Sequence, residues 1–184
     1  VLSRLSIEML RMPVQYEHCS IRTWVESVMK LFTNRNFSIH DEQGTAIGYA
    51  RSIWAMIDLE SRRPCDLLSL YDGDILNYVV DEVDNVCPIE GHGRFRFRDA
   101  ELVRSISTYY SDVDINGHIN SIKYIEHILD LFPREAFVRG IRRFEIAYKN
   151  ESYMGDTLHL YRQDGENGVS DIEVRKNQGE VVCQ

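Results

Sequence analysis

Residues 109–133 of this 184-residue chain bring together the side chains best suited to chemistry. Asp112, Asp114, Asn116, His118 and Asn120 alternate with Val113, Ile115 and Ile119. Carboxylates and an imidazole at this density can take a proton from water, hold it and return it, and an amide beside them can orient the reacting groups. A period of two is the pattern of extended chain, so the five polar side chains are expected to share one face. From Asn120 the period becomes helical, with Ile122, Ile125, Ile128, Leu129 and Phe132 on one stripe and Pro133 as the stop. The polar row would then feed the positive end of a helix.

The same letters also resemble a calcium loop. Asp112, Asp114, Asn116 and Gly117 match an EF-hand start, and Ile119 its apolar position. The place that needs a bidentate Glu holds Lys123, which argues against calcium. Cys19, Cys65, Cys87 and Cys183 have no CxxC or CxxH spacing, which argues against a zinc site; a bound metal or cofactor is not part of the expectation. Free thiols and the lack of a signal-peptide core at the first residues point to a reducing, cytoplasmic setting. A net charge of −8 argues against nucleic-acid binding, and no apolar run is long enough for a membrane span.

Strands must position this row. Residues 21–28 alternate around Trp24, and residues 36–58 read as a hairpin that turns at Asp41-Glu-Gln-Gly44. Its return arm is rich in Ile, Tyr and Trp, which suits a central strand. Residues 66–84 carry a weak helical pattern, and 87–93 look like connecting loop. Further strands are expected over 102–110, 141–148 and 157–162, with a last hairpin over 170–182.

The two halves repeat faintly. Leu2-Ser-Arg-Leu-Ser-Ile-Glu-Met9 lines up with Ile141-Arg-Arg-Phe-Glu-Ile-Ala-Tyr148, and Gln43-Gly44 with Gln178-Gly179. One helix and a run of antiparallel strands, twice, is an α+β arrangement in which a sheet wraps a helix, the shape of the hotdog fold. The expected organisation is a tandem hotdog: a first repeat over 1–65 lacking its leading helix, a linker over 66–100, and a second repeat over 101–184. The second repeat would hold the active site and end in a shortened strand.

The motifs resemble those of the plant and bacterial acyl-ACP thioesterases. The family's Asp-x-Asn-x-His-x-Asn run stands here as Asp114-Ile-Asn116-Gly-His118-Ile-Asn120, followed by Tyr124-Ile125 and Leu131-Phe132-Pro133. Phe144 to Asp156 resembles the strand that ends in a Glu-Cys pair, with Ser152 where many members have Cys. Trp24-Val25, Ala50-Arg-Ser-Ile-Trp54 and Glu60-Ser-Arg-Arg-Pro64 look like the family's N-terminal segments. The resemblance implies hydrolysis of the thioester between a fatty acyl chain and the phosphopantetheine of acyl carrier protein. It places catalytic roles on Asp114, Asn116, His118 and Glu151, and makes Ser152 and Asn120 accessory candidates. His118 and Glu151 both qualify as the base, and attack by water is favoured over an acyl-serine. An acidic carrier needs local cations, for which Arg139, Arg142, Arg143 and Lys149 are candidates, as are Arg94, Arg96 and Arg98. A homodimer is a further expectation. Acyl-CoA hydrolysis on the same fold and a non-catalytic acyl-binding module are the competing readings.

Overall fold

The computed structural model describes residues 1–80, 86–95, 97–177 and 179–184, without the side chains of Tyr71 and Arg139. In chain order the strands are β1 (Leu2–Met9), β2 (Ser20–Val28), β3 (Phe32–His40), β4 (Ala46–Ala55) and β5 (Glu101–Ser107). Then come helices α1 (Ser121–Leu129) and α2 (Arg134–Arg139), followed by β6 (Arg143–Ala147), β7 (Thr157–Asp164), β8 (Ser170–Lys176) and β9 (Glu180–Cys183). Contacts divide the chain into two compact units: Val1–Gly93 with Gly140–Ile146, and Arg94–Arg139 with Ala147–Gln184.

The first unit is a five-stranded sheet in the order β2-β3-β4-β1-β6. β4 is central, as its β-branched and aromatic content requires, and buries Ile47, Ala50 and Ser52. The two strands matched by the internal repeat, β1 and β6, lie side by side in this sheet. Of the expected linker, residues 66–80 and 86–93 belong to this unit by their contacts. A 3-10 helix spans Leu67–Tyr78, capped by the Asp66 carboxylate on the Leu68 N–H, and Leu67 is buried. Beyond it, Cys87 and Ile89 bury themselves against Trp24, with Tyr49 and Val80 alongside. That segment shows no periodicity in sequence because it is irregular chain anchored at single apolar positions. Among the described residues of this unit there is no α-helix.

The second unit is a four-stranded antiparallel sheet, β5-β7-β8-β9, with α1 tied to it. Leu158 and Leu160 of β7, Val174 of β8, and Val182 and Cys183 of β9 are fully buried, and the two on β7 alternate as a half-buried sheet dictates. Arg162 of β7 donates to the Leu131 carbonyl at 3.2 Å and stacks over the Phe132 ring at 4.5 Å, so the turn after α1 is held to the sheet. The short arm β9 is paired on both sides: with β8, and with residues 147–150 through Ala147–Gln184 and Lys149–Val182 hydrogen bonds.

Three local expectations change. α1 buries Tyr124 and Ile128, whereas Ile122 is more than half exposed. A tyrosine can take the core position because its hydroxyl finds a partner in Ser152. Pro133 stands ahead of α2, where its carbonyl accepts the Ala136 N–H, after the helix has already ended at Leu129. Residues 110–119 are not an extended strand. A 3-10 turn at Tyr110–Asp112 leads into a loop closed by the isolated pair Val113–Ile119.

Candidate active site

Asp114 builds that loop. Its Oδ1 accepts the backbone N–H groups of Asn116 at 2.8 Å and His118 at 3.2 Å, and its Oδ2 accepts the Asn116 side-chain amide at 3.3 Å. The main chain closes around it, Asp114 N–H to the His118 carbonyl at 2.8 Å and Gly117 N–H to the Asp114 carbonyl at 3.0 Å. Gly117 adopts φ +82°, which a side chain would strain. Desolvation pushes the Asp114 carboxyl up, but the two N–H donors, the Asn116 amide and the nearby His118 together hold it below the ordinary carboxylate value.

The five polar side chains therefore do not share one face. Asp112 is buried and caps the Tyr109 N–H at 2.8 Å, a structural role. Asn120 N-caps α1 through the Ile122 N–H at 3.0 Å, and its carbonyl accepts the Lys123 N–H at 2.9 Å. Those two N–H groups are therefore occupied within the helix itself. Lys123 pairs with Glu126 at 2.8 Å.

The loop brings His118 to Glu151. His118 Nε2 stands 3.4 Å from Glu151 Oε2, with side-chain exposures of 24% and 37%, so the pair is partly buried yet reachable by water. Glu151 follows β6, where residues 147–150 are pinned to the end of β9; the Asn150 amide donates to the Val181 carbonyl at 2.8 Å. The Ile119 N–H donates to the Ser152 carbonyl at 2.9 Å, which fixes the loop beside Glu151.

Ser152 points the other way. It is fully buried and its hydroxyl shares a 2.5 Å hydrogen bond with that of Tyr124. Burial pushes the Tyr124 phenol up to about 12, so it is no base for activating a serine. Tyr153 is a candidate site residue that sequence reading missed. Its ring meets His118 edge-on at 5.2 Å between centroids, and its hydroxyl donates to Glu151 Oε2 at 3.4 Å. The signal was present: Tyr153 lies two residues after Glu151, and extended chain puts i and i+2 on one side.

The carrier-docking candidates fare unevenly. Arg143 is engaged within the first unit, paired with Glu8 and with Glu145 at 2.6 Å, and bonded to the carbonyls of Glu90 and Gly91. Such a side chain holds the fold and is not free for docking. Arg142 and Lys149 are exposed, Arg142 in the first unit and Lys149 in the second. The Arg139 side chain and Arg96 lie outside the described residues. A second histidine–glutamate neighbourhood in the first unit is engaged in holding the fold: His92 Nδ1 meets the buried Ser6 hydroxyl at 2.6 Å, and Glu145 accepts the Gly93 N–H at 2.8 Å. Among the described residues no group of three His, Cys, Asp or Glu converges as a metal site.

Residues 1–71 match the acyl-ACP thioesterase N-terminal domain, and residues 97–184 the C-terminal domain. An acyl-ACP thioesterase structure from Bacteroides thetaiotaomicron is 51% identical at a TM-score of 0.90, over 100% of this chain and 73% of that one. The chain belongs to the acyl-ACP thioesterase family. The fold is that of the hotdog thioesterases, shared also with the 12:0-ACP thioesterase of Umbellularia californica (18% identity, TM-score 0.82, 100% and 72% covered). Among curated relatives, the palmitoyl-acyl carrier protein thioesterase of Arabidopsis thaliana is 28% identical over 189 residues, 100% of this chain and 45% of that protein. This family member thus spans less than half the length of the curated relatives it matches. Both blocks described above, Asp114–His118 and Glu151, lie within the matched C-terminal domain.

Proposed function

We propose that this chain hydrolyses the thioester of fatty acyl-acyl carrier protein, releasing a free fatty acid, with the His118–Glu151 pair as its proton carrier. The 3.4 Å approach of His118 Nε2 to Glu151 Oε2, on a loop fixed by Asp114, is the observation that supports this reading most directly. The pair takes a proton from water as the water oxygen adds to the thioester carbonyl carbon. The tetrahedral intermediate then collapses, the C–S bond breaks, and the pair returns the proton to the departing phosphopantetheine thiolate. Asn116, its amide nitrogen held by Asp114, offers its side-chain carbonyl oxygen to the attacking water. Asp114 acts through the loop and is a positioning residue. The burial of Ser152 against Tyr124 supports direct attack by water over an acyl-enzyme. Lys149, exposed in the same unit as the pair, is the cation proposed for the acidic carrier. Four free cysteines fit a reducing cytoplasmic setting for the reaction.

The test is hydrolysis of acyl-ACP beside acyl-CoA by the full-length protein, with His118→Ala and Asn116→Ala. Faster cleavage of acyl-ACP, lowered in both variants, is expected. Faster cleavage of acyl-CoA moves the substrate class. No cleavage of either favours an acyl-binding module, and wild-type rates in both variants refute the site.

A further inference from the structure

Beyond the pair itself, we infer that Tyr153 and Lys176 form a brace that sets the angle and distance between His118 and Glu151. This rests on the hydrolysis reading above. A glutamate side chain has three rotatable bonds, and its carboxylate keeps one position only if further contacts remove that freedom. Tyr153 supplies two such contacts at once. Its hydroxyl donates to Oε2 of Glu151, the same oxygen that faces His118, while its ring edge packs against the imidazole at an interplanar angle of 80°.

Tyr153 is itself anchored. Its N–H donates to Asp156 Oδ2 at 2.9 Å, and its carbonyl accepts the hydroxyl of the buried Thr108 at 2.7 Å. Lys176 completes the brace from β8. Its ammonium donates to the Glu151 backbone carbonyl at 2.6 Å, lies 6.0 Å from the Tyr153 ring centre, and pairs with Glu180 at 3.2 Å. One cation thus fixes the main chain of Glu151 while the neighbouring aromatic fixes its carboxylate. Tyr153 is about half exposed, so its replacement leaves the core intact.

Three variants dissect the brace: Tyr153→Phe removes the hydroxyl, Tyr153→Leu removes hydroxyl and ring, and Lys176→Met keeps the stem and removes the ammonium. With acyl-ACP as substrate, kcat is expected to fall about fivefold, tenfold and threefold respectively, with KM within about twofold. In a Glu151→Gln background the same changes should cost nothing more, because the carboxylate they position is gone. Unchanged kcat, or an equal loss in the Glu151→Gln background, overturns the brace. A second readout needs no turnover: the ¹H–¹³C signals of the His118 ring should move in Tyr153→Leu as the ring current disappears. Unmoved signals overturn the brace even in a chain that cleaves no thioester. A wild-type chain without hydrolysis overturns the proposed function alone.

Discussion

The residues 41–45 and 114–118 form the same turn, one in each unit. In both, the aspartate N–H donates to the carbonyl of the fifth residue, at 2.9 and 2.8 Å, and the glycine N–H returns to the aspartate carbonyl at 3.0 Å. Both aspartates accept the third and fifth N–H groups on Oδ1, and both glycines take positive φ, +78° and +82°. The difference lies in what the turn presents. Asp41 also binds Arg11 at 3.0 Å, its fifth residue is the exposed Thr45, and the turn joins β3 to β4. Asp114 instead binds the Asn116 amide, and its fifth residue is His118, facing Glu151. The aspartate makes the turn in either place, and the proposed chemistry rests on the fifth side chain and its partner.

The comparison breaks most sharply when the fifth residue is exchanged. His118→Thr gives the second turn the fifth residue of the first, and kcat/KM for acyl-ACP should fall by about 10²–10⁴ while the melting curve stays near wild type. Thr45→His should leave hydrolysis unchanged, since position 45 has no part in the proposed His118–Glu151 pair.

Next in size, Asp114→Ala should lower kcat about tenfold, because two N–H groups and the Asn116 amide lose their acceptor. Asp41→Ala should lower the thermal midpoint and leave kcat alone.

Acid unfolding sharpens what the turns share. Each carboxyl sits below its ordinary value of 3.8: desolvation raises it, but the backbone N–H groups with Arg11 in one case, and with Asn116 and His118 in the other, outweigh that rise. A depressed carboxyl contributes stability that is fully present above 3.8 and is lost as pH falls below it. Denaturant titrations from pH 5 to 2 should therefore show a shallower acid limb for Asp114→Asn and for Asp41→Asn alike.

The smallest effect is steric. Open space surrounds both glycines, so Gly44→Ala and Gly117→Ala should each cost about 1 kcal/mol from positive φ alone, read by chemical unfolding.

Sequence carried some of this. Strong periodicity gave α1, the hairpin β3–β4 and the central place of β4, because long regular elements with one buried face leave a repeating mark. The loop at 114–118 was misread because its alternation imitates a strand. Asn116-Gly117 was the turn signal, and the Asp114 side chain replaces the ladder a strand would need. Burial of Cys87 and Ile89 left no mark, since an irregular segment anchors through single residues. His118 and Glu151 were readable as residue types. Their approach depends on residues 147–150 pairing with β9, a contact between segments far apart in sequence.

The most direct measurement compares acyl-ACP hydrolysis by wild type and Glu151→Gln at equal folded fraction. The amide keeps the shape and removes the charge that faces His118. A drop in kcat of about a hundredfold or more, with the melting temperature nearly unchanged, is the expected result. A rate near wild type would contradict the His118–Glu151 pair as the proton carrier.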